Sequence, residues 1–219
     1  MNMSQQPDHP AGGGGQEPPR EPAMESLQFD PVGARVPEHV AAGTFSSGVI
    51  ILDGWDEFVL DFVQGVSRPP RVAARVILNP RVMGQFIEAL RANLQRYQQQ
   101  FGTPPEMPKP PTPEPRPSIK DIYDGLKLPD EQLSGAYANA VRIAHSPSEF
   151  CLDFITRFFP TAAVSSRVYM AAPQIPRLLE SLVNSHQHFV KKRQQAQPPP
   201  PPPGSPPGPP PPPQDPGQT

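Results

Sequence analysis

An internal repeat constrains this fold more than any other feature of the sequence. Shifting the chain against itself by 92 residues aligns residues 36–63 with 128–155 and residues 71–97 with 163–189, without a gap. Fifteen of the 62 positions from 36 to 97 are then identical. Because self-similarity at a fixed spacing marks a repeated structural unit, we expect this chain to contain the same module twice.

Each copy is predicted to form three strands followed by a helix. In the first copy the strands cover residues 43–52, 57–63 and 72–78, and Asn79 followed by Pro80 makes a favourable N-cap and first helical position. The second strand alternates between apolar and mostly charged side chains, which is typical of a strand with one buried face. The second copy repeats the strands 92 residues later, at 135–144, 149–155 and 164–170.

Apolar residues recur at spacings of three and four along each predicted helix, so that one helix face covers a sheet. In the first copy they are Met83, Phe86, Ile87, Leu90, Leu94, Tyr97 and Phe101; in the second they are Ile175, Leu178, Leu179, Leu182, His186 and Phe189. A lone module of about 65 residues would be only marginally stable, because small domains bury a low fraction of their surface. The predicted fold class is therefore α+β, with two tandem β-β-β-α modules that pack as a pseudo-dimeric core.

Proline sets the expected boundaries of these modules. Of the 37 prolines, 30 fall outside residues 38–101 and 131–195, and segments so rich in proline cannot bury enough apolar surface to offset the entropy lost on ordering. The expected organisation is a disordered tail at 1–35, a first repeat at 36–102, a Pro-rich linker at 103–127, a second repeat at 128–196 and a disordered polyproline tail at 197–219.

The linker and the C-terminal tail each carry a recognisable local pattern. A short helix is predicted over residues 118–126, with Ser118 and Asp121 as a partial capping box, and we expect it to dock on one repeat. Six consecutive prolines at 198–203 predict polyproline II structure. Such a run can bind an aromatic-lined groove, but no basic residue follows Arg193, and we expect the tail to act as a spacer.

Composition narrows the class of protein. The single cysteine, Cys151, excludes an internal disulfide framework and a thiolate metal cluster within one chain. No apolar run approaches the ~18 residues of a membrane span, and the N-terminus lacks the regions of a secretory signal. A net charge of −2 gives no general attraction to nucleic acids or anionic membranes. We therefore expect a soluble, cytoplasmic protein without a cofactor.

The second copy resembles a known family. The resemblance rests on YANAVRIAHSPSEFCLDF (137–154), Pro160 and SSRVYMAAPQIPRLLESL (165–182), and the family is an uncharacterised group of short bacterial and archaeal proteins, domain of unknown function 3467. The first copy is similar more loosely, because GWDEF replaces SPSEF and FSS replaces YAN. Members of that family usually carry the unit once, so the resemblance implies that the two units here stand in for a homodimer. It implies no catalytic residue and no ligand.

Charged residues recur at three informative positions of both copies, namely Glu57/Glu149, Asp61/Asp153 and Arg75/Arg167. Glu57 and Asp61 share a strand face but are four residues apart, about 13 Å along the strand, which is too far for the carboxylate pair of a glycosidase. If the second and third strands form a hairpin, Arg75 lies across from Asp61. We therefore predict structural cross-strand pairs that fix the hairpin register.

Other candidate residues favour a non-enzymatic protein. His186 and His188 are two apart on a helix and point in different directions, so they do not form a zinc pair, and His186 is expected to be a hydrogen-bonded core residue. Cys151 has no nearby base to activate it and matches Val59 in the first copy, which favours a small apolar filler. Trp55, in the turn DGWDE, fits a surface binding residue and a capping hydrophobe equally well.

The predicted function is an interaction module, with an adaptor for an unknown protein partner as the favoured form. The alternatives are a nucleic-acid-associated protein and a holdase-like chaperone. Nucleic-acid binding would use the basic residues of the second copy, namely Arg142, Arg157, Lys191, Lys192 and Arg193. The last three also suit the negative end of a helix dipole. The sequence leaves further homo-oligomerisation open.

Overall fold

The computed structural model describes residues 33–66, 68–108, 117–158 and 160–196. The tails predicted at 1–35 and 197–219 lie outside the described residues, apart from 33–35. The same holds for 109–116 of the predicted linker. Within the described ranges, no helix combines the length and the apolar character that crossing a bilayer requires.

The described chain mixes helices and strands in both repeats. The first repeat contains α1 (Glu38–Ala41), β1 (Thr44–Ser46), β2 (Gly48–Asp53), β3 (Phe58–Gln64), β4 (Arg71–Leu78) and α2 (Pro80–Phe101). The linker contributes α3 (Ile119–Asp124). The second repeat contains α4 (Asp130–Leu133), β5 (Ala136–Ala138), β6 (Ala140–His145), β7 (Glu149–Phe158), β8 (Thr161–Ala171), a 3₁₀ turn (Ala172–Gln174) and α5 (Ile175–Ala196). The α+β class is therefore confirmed.

The single first strand predicted for each repeat is wrong, because the chain crosses between two sheets at Ser47 and at Asn139. The sheets have the strand orders β1-β8-β7-β6 and β2-β3-β4-β5. Strand β1 pairs in parallel with β8 of the second repeat, and β5 pairs in parallel with β4 of the first. Each sheet thus contains three strands of one repeat and one short strand of the other. Gly48 and Asn139, which disfavour strands, lie at the crossings, but the apolar residues on both sides extend the strand pattern across them.

Polar side chains satisfy the backbone where the chain crosses. The Ser47 hydroxyl donates to the Val63 carbonyl (3.2 Å) and accepts from the Gly65 amide (2.9 Å). The Asn139 side-chain amide donates to the Arg157 carbonyl (3.2 Å) and its oxygen accepts from the Arg157 amide (2.7 Å). These bonds replace ladder hydrogen bonds that the break would otherwise leave unmade.

The long helices also lie across the boundary between the repeats. Helix α2 packs against β6, helix α5 packs against β2, and the two helices contact each other. At the end of α2 the Tyr97 hydroxyl donates to the Pro147 carbonyl of the second repeat (2.7 Å). In α5 the Phe189 ring lies 4.9 Å from that of Phe58 in the first repeat. The spacing of apolar residues predicts that a helix covers a sheet, but it does not identify which sheet.

One large buried cluster joins both repeats. The ring centroids of Phe62 and Phe86 each lie 5.5 Å from the ring centroid of Phe154, so aromatic contacts cross between the copies. The predicted helix stripes are confirmed where they are buried, at Met83, Phe86, Ile87, Leu90, Leu94, Tyr97, Ile175, Leu178, Leu182 and Phe189. Phe101 is exposed at the end of α2, and His186 is only half-buried, beside the Phe58 ring. The core prediction for these two residues is therefore wrong.

The predicted caps are present. The Asn79 side chain accepts a hydrogen bond from the Val82 amide (2.9 Å) at the start of α2, with Pro80 in the first turn. At α3 the Ser118 hydroxyl accepts from the Asp121 amide (3.1 Å), and the Asp121 carboxylate accepts from the Ser118 amide (2.9 Å). Both halves of the capping box are thus formed, although α3 is shorter than predicted.

Candidate functional site between the two repeats

Two aspartate–arginine pairs occupy equivalent places in the two hairpins. Asp61 lies opposite Arg75 on β3 and β4, with the Nε–Oδ1 distance 2.7 Å and the Nη2–Oδ2 distance 2.8 Å. Asp153 lies opposite Arg167 on β7 and β8, at 2.7 and 3.0 Å. Both carboxylates are buried. Each pair is therefore a bidentate, charge-assisted contact, the strongest class of hydrogen bond in proteins.

Each arginine also reaches the other repeat. Arg75 Nη1 donates to the Leu133 carbonyl at the end of α4 (3.1 Å), and Arg167 Nη1 donates to the Ala41 carbonyl at the end of α1 (3.3 Å). The last carbonyls of a helix have no partner within the helix. These bonds therefore hold the short helix that precedes each exchanged strand, so the pairs connect the repeats as well as the two strands of a hairpin.

The third partner of each carboxylate differs between the repeats, and sequence reasoning missed both. The Tyr123 hydroxyl of α3 donates to Asp61. Arg142 of β6 donates to Asp153, with an Nη2–Oδ2 distance of 2.5 Å. Ile50 occupies the position of Arg142 in the first repeat. The difference between Ile50 and Arg142, next to an aspartate that is identical in both repeats, was the available signal for a second partner. A buried carboxylate that lacks one partner needs another.

The surroundings of these groups shift their pKa values. Burial, followed by the hydrogen bond to Asp61, raises the pKa of Tyr123 to about 12, so its hydroxyl stays protonated and can donate at neutral pH. Burial raises the pKa of Asp153, but the hydrogen bonds from Arg167 and Arg142 outweigh burial and hold that pKa below its ordinary value of 3.8. Hydrogen bonding to Asp61 raises the pKa of Arg75.

The lowered pKa of Asp153 predicts a pH-dependent contribution to stability. A carboxyl group whose pKa is lower in the folded state stabilises the fold above its unfolded pKa, and the stabilisation is lost as the pH falls through the folded value. We expect the difference in unfolding free energy between the wild type and Asp153→Asn to be constant above about pH 5 and to shrink below the ordinary value of 3.8. Urea unfolding of both proteins across this range measures it; an unchanged difference in acid would contradict the prediction.

The other predicted charged residues do not join these pairs. Glu57 and Glu149 are exposed near the start of their strands, and Glu57 accepts a hydrogen bond from the Asp56 amide (3.1 Å).

Cys151 lies beside Asp153, with its sulfur 3.7 Å from Oδ1. Burial, followed by the negative charge of Asp153, raises the pKa of the thiol. A thiol shifted in this direction is a poorer nucleophile at neutral pH.

A cavity of about 320 Å³ lies between the repeats, and we call it the inter-repeat cavity. Its lining residues fall into seven pairs that are 92 positions apart, so both repeats contribute the same positions. Two pairs are identical, Gly43/Gly135 and Arg75/Arg167. Both glycines have positive φ, +66° and +69°. The arginines of the two ion pairs thus meet at one cavity, which the hairpin prediction did not include.

Exposed aromatic residues lie at a second place where the repeats meet. The rings of Tyr137 on β5 and Phe158 at the end of β7 are stacked, with centroids 6.1 Å apart and planes at 2°. Their exposed fractions are 41% and 57%. The residues at the equivalent positions of the first repeat, Phe45 and Val66, are also exposed. We call Tyr137 and Phe158 the aromatic pair.

The predicted interaction residues at the end of α5 face the first repeat. The Lys192 Nζ atom lies 3.6 Å from Asp53 Oδ2, and the Arg193 Nη2 atom lies 3.3 Å from Asp56 Oδ1. Both acids belong to the turn that carries Trp55, whose exposed fraction is 69%. Two of the three basic residues therefore have acidic partners within the chain, and all three are exposed. His188 also lies 3.5 Å from Asp53, away from His186.

Comparison with known families identifies the repeated unit. The family described as "Protein of unknown function (DUF3467)" matches residues 14–121 and 106–194. The two matches start 92 residues apart, the same spacing as the internal repeat. The resemblance noted from the second copy is confirmed, and it extends to both copies. No curated protein matches the sequence.

Proposed function

The chain belongs to the DUF3467 family of proteins of unknown function and carries the family unit twice, and on this premise we propose that it is a non-enzymatic protein-interaction module. The observation that carries the proposal is the aromatic pair, Tyr137 and Phe158, whose stacked rings are open to solvent at the junction of the repeats. Exposed aromatic surface held in one geometry is characteristic of the centre of protein interfaces.

The backbone beneath the aromatic pair is well held. The hydroxyls of Thr156 and Ser165 both donate to the Tyr137 carbonyl, at 2.6 and 3.0 Å. Strand β5 is also paired with β4 through Tyr137 itself, which lies opposite Ile77. A backbone held in this way lowers the entropy cost of presenting the Tyr137 ring to a partner. This supports a preformed binding surface.

We further propose that the two repeats form a pseudo-dimeric core. Support comes from the reciprocal exchange of β1 and β5 between the sheets and from the reciprocal packing of α2 on β6 and α5 on β2. Such an arrangement is what two copies of one chain would form as an intertwined homodimer. On this proposal the protein is a cytoplasmic adaptor whose core carries the binding surface and whose residues 197–219 are a spacer.

Nucleic-acid binding receives less support. Affinity for a phosphate backbone depends on basic residues that are free to release its counterions. Here Lys192 and Arg193 face Asp53 and Asp56, and Arg142 is bound to Asp153. The first candidate, a protein partner at the aromatic pair, is therefore the one we retain.

Replacing both residues of the aromatic pair with serine tests this function. Interface aromatics at the centre of a contact typically contribute 2 kcal/mol or more, which corresponds to roughly 30-fold in affinity. We expect Tyr137→Ser with Phe158→Ser to lose capture of the partner from extracts of the native cell. Because both side chains are exposed, the unfolding free energy should change by about 1 kcal/mol or less.

Two controls make the capture experiment specific. Val190→Ser removes another exposed apolar side chain, on α5, and should leave capture unchanged. A chain ending at Ala196 tests the spacer assignment, and it should keep both capture and its melting temperature. Capture that survives the double substitution would contradict the proposed surface, and capture lost only on truncation would assign binding to the tail.

A further inference from the structure

We propose that the inter-repeat cavity binds a small oxyanion, meaning a carboxylate or phosphate group on a compact molecule. This goes beyond the protein-interaction role and does not depend on it. The cavity, at about 320 Å³, falls within the range of small-molecule sites. Both Arg75 and Arg167 line it, so one cavity brings together the equivalent arginines of the two repeats.

The chemistry of these arginines selects an oxyanion. A guanidinium presents a planar set of five N–H donors that matches the oxygens of carboxylates and phosphates. In Arg75, bonds to Asp61 and to the Leu133 carbonyl use three of these donors, and Arg167 is held in the same way. Those bonds leave two donors in each group, and Tyr123 also hydrogen-bonds with Arg75 and Tyr169 with Arg167. The bonds that are made fix the plane of the guanidinium, and a donor fixed in advance binds a ligand at lower entropic cost.

Some lining residues of the cavity are identical in the two repeats, and others differ. The glycine and arginine pairs are identical, and a Cβ on Gly43 or Gly135 would meet the Cγ atom of Arg167 or Arg75 at 2.8 Å. Glycine at these two positions therefore leaves the space that the arginine side chains occupy. At three other positions a hydroxyl residue in one repeat corresponds to alanine in the other, namely Thr44/Ala136, Ser165/Ala73 and Ser166/Ala74. The ligand therefore needs no two-fold symmetry.

Electrostatics sets how such a ligand is held. The two arginines are balanced by Asp61 and Asp153, which are buried. Glu131 also lines the cavity, where its repeat equivalent is His39, and both of these residues are exposed. The cavity thus lacks a strong net positive charge, and binding depends on directional hydrogen bonds. The negative charge of Glu131 repels an anion. Because Glu131 is exposed, replacing it should change the affinity for the ligand without disturbing the fold.

Titration with inorganic phosphate and with acetate tests the site. Ionic strength is held constant with chloride, and binding to the full-length chain is followed by NMR of the Gly43 and Gly135 amides. We expect saturable shifts of both signals with at least one of the two ions. Glu131→Gln should tighten binding about fivefold, because it removes a negative charge from the lining of the cavity. His39→Glu should weaken binding by a similar factor.

A charge change outside the cavity provides the matched control. Glu180→Gln removes the same charge from an exposed position on α5 and should leave the affinity within twofold of the wild type. The proposal is overturned if neither ion gives saturable shifts. It is also overturned if Glu131→Gln and Glu180→Gln change the affinity equally, since the effect would then reflect total charge alone.

Discussion

Asp153→Asn is expected to destabilise the protein by about 3 kcal/mol, near the low end of the cost of removing one partner from a buried ion pair. The asparagine keeps the size of the side chain but leaves the charges of Arg142 and Arg167 without their common carboxylate. We place the value at the low end because these arginine side chains are 29% and 18% exposed, so water compensates in part. Urea denaturation at neutral pH measures the loss.

An exposed ion pair serves as the control for this substitution. Glu88 and Arg91 are paired on the surface of α2 at 2.5 Å, and such pairs contribute about 1 kcal/mol or less. Glu88→Gln should therefore change stability little. If Asp153 is structural, Asp153→Asn should leave partner capture intact per folded molecule. A variant that keeps full stability but loses capture would instead assign Asp153 to a binding role.

Several elements of this fold could be predicted from the sequence because their signals are local. Alternation in the second strand predicted the buried face that carries Phe58, Leu60 and Phe62. The Asn79-Pro80 pair predicted the start of α2, and Ser118 with Asp121 predicted the cap of α3. In each case the residues that determine the structure lie within a few positions of one another, so no tertiary information is needed.

The exchange between the repeats could not be predicted from local pattern. Thr44 pairs with Val168, and Val76 pairs with Ala136, in parallel contacts between the copies. An apolar side chain has the same pattern whether it packs on its own repeat or on the other one. The one residue type that marks the exchange is glycine at 43 and 135, and its positive φ and close contacts become apparent only in the fold.

The candidate site could be predicted only in part from the sequence, for the same reason. A hairpin with identical residues in both copies predicts that Asp61 lies across from Arg75. No pattern in the sequence predicts that Tyr123, which belongs to the linker, contacts Asp61. Duplication within one chain explains the difference. A homodimer must use the same residues twice, whereas this chain stabilises one carboxylate with Arg142 and its equivalent with Tyr123.

Gly43→Ala is expected to be as damaging as the loss of a buried charge, at about 3 kcal/mol or more. The residue has a φ of +66°, which costs an L-amino acid about 1 kcal/mol or more. Its new Cβ would also lie 2.5 Å from Cε2 of the Tyr169 ring and 2.8 Å from Cγ of Arg167. Relieving such overlap typically costs a further 1–3 kcal/mol, and here it would displace the arginine that holds Asp153.

Two other glycines separate the contributions to this loss. Gly102 has a φ of +83° and a ψ of 180°, a conformation essentially restricted to glycine, but open space around it, so Gly102→Ala should show only a backbone cost of about 1–3 kcal/mol. Gly48, just after the crossing in the first repeat, has neither a positive φ nor a close neighbour, and Gly48→Ala should be neutral or slightly stabilising. Urea unfolding of the three variants should rank them in this order. A loss for Gly43→Ala no larger than that for Gly48→Ala would contradict the prediction.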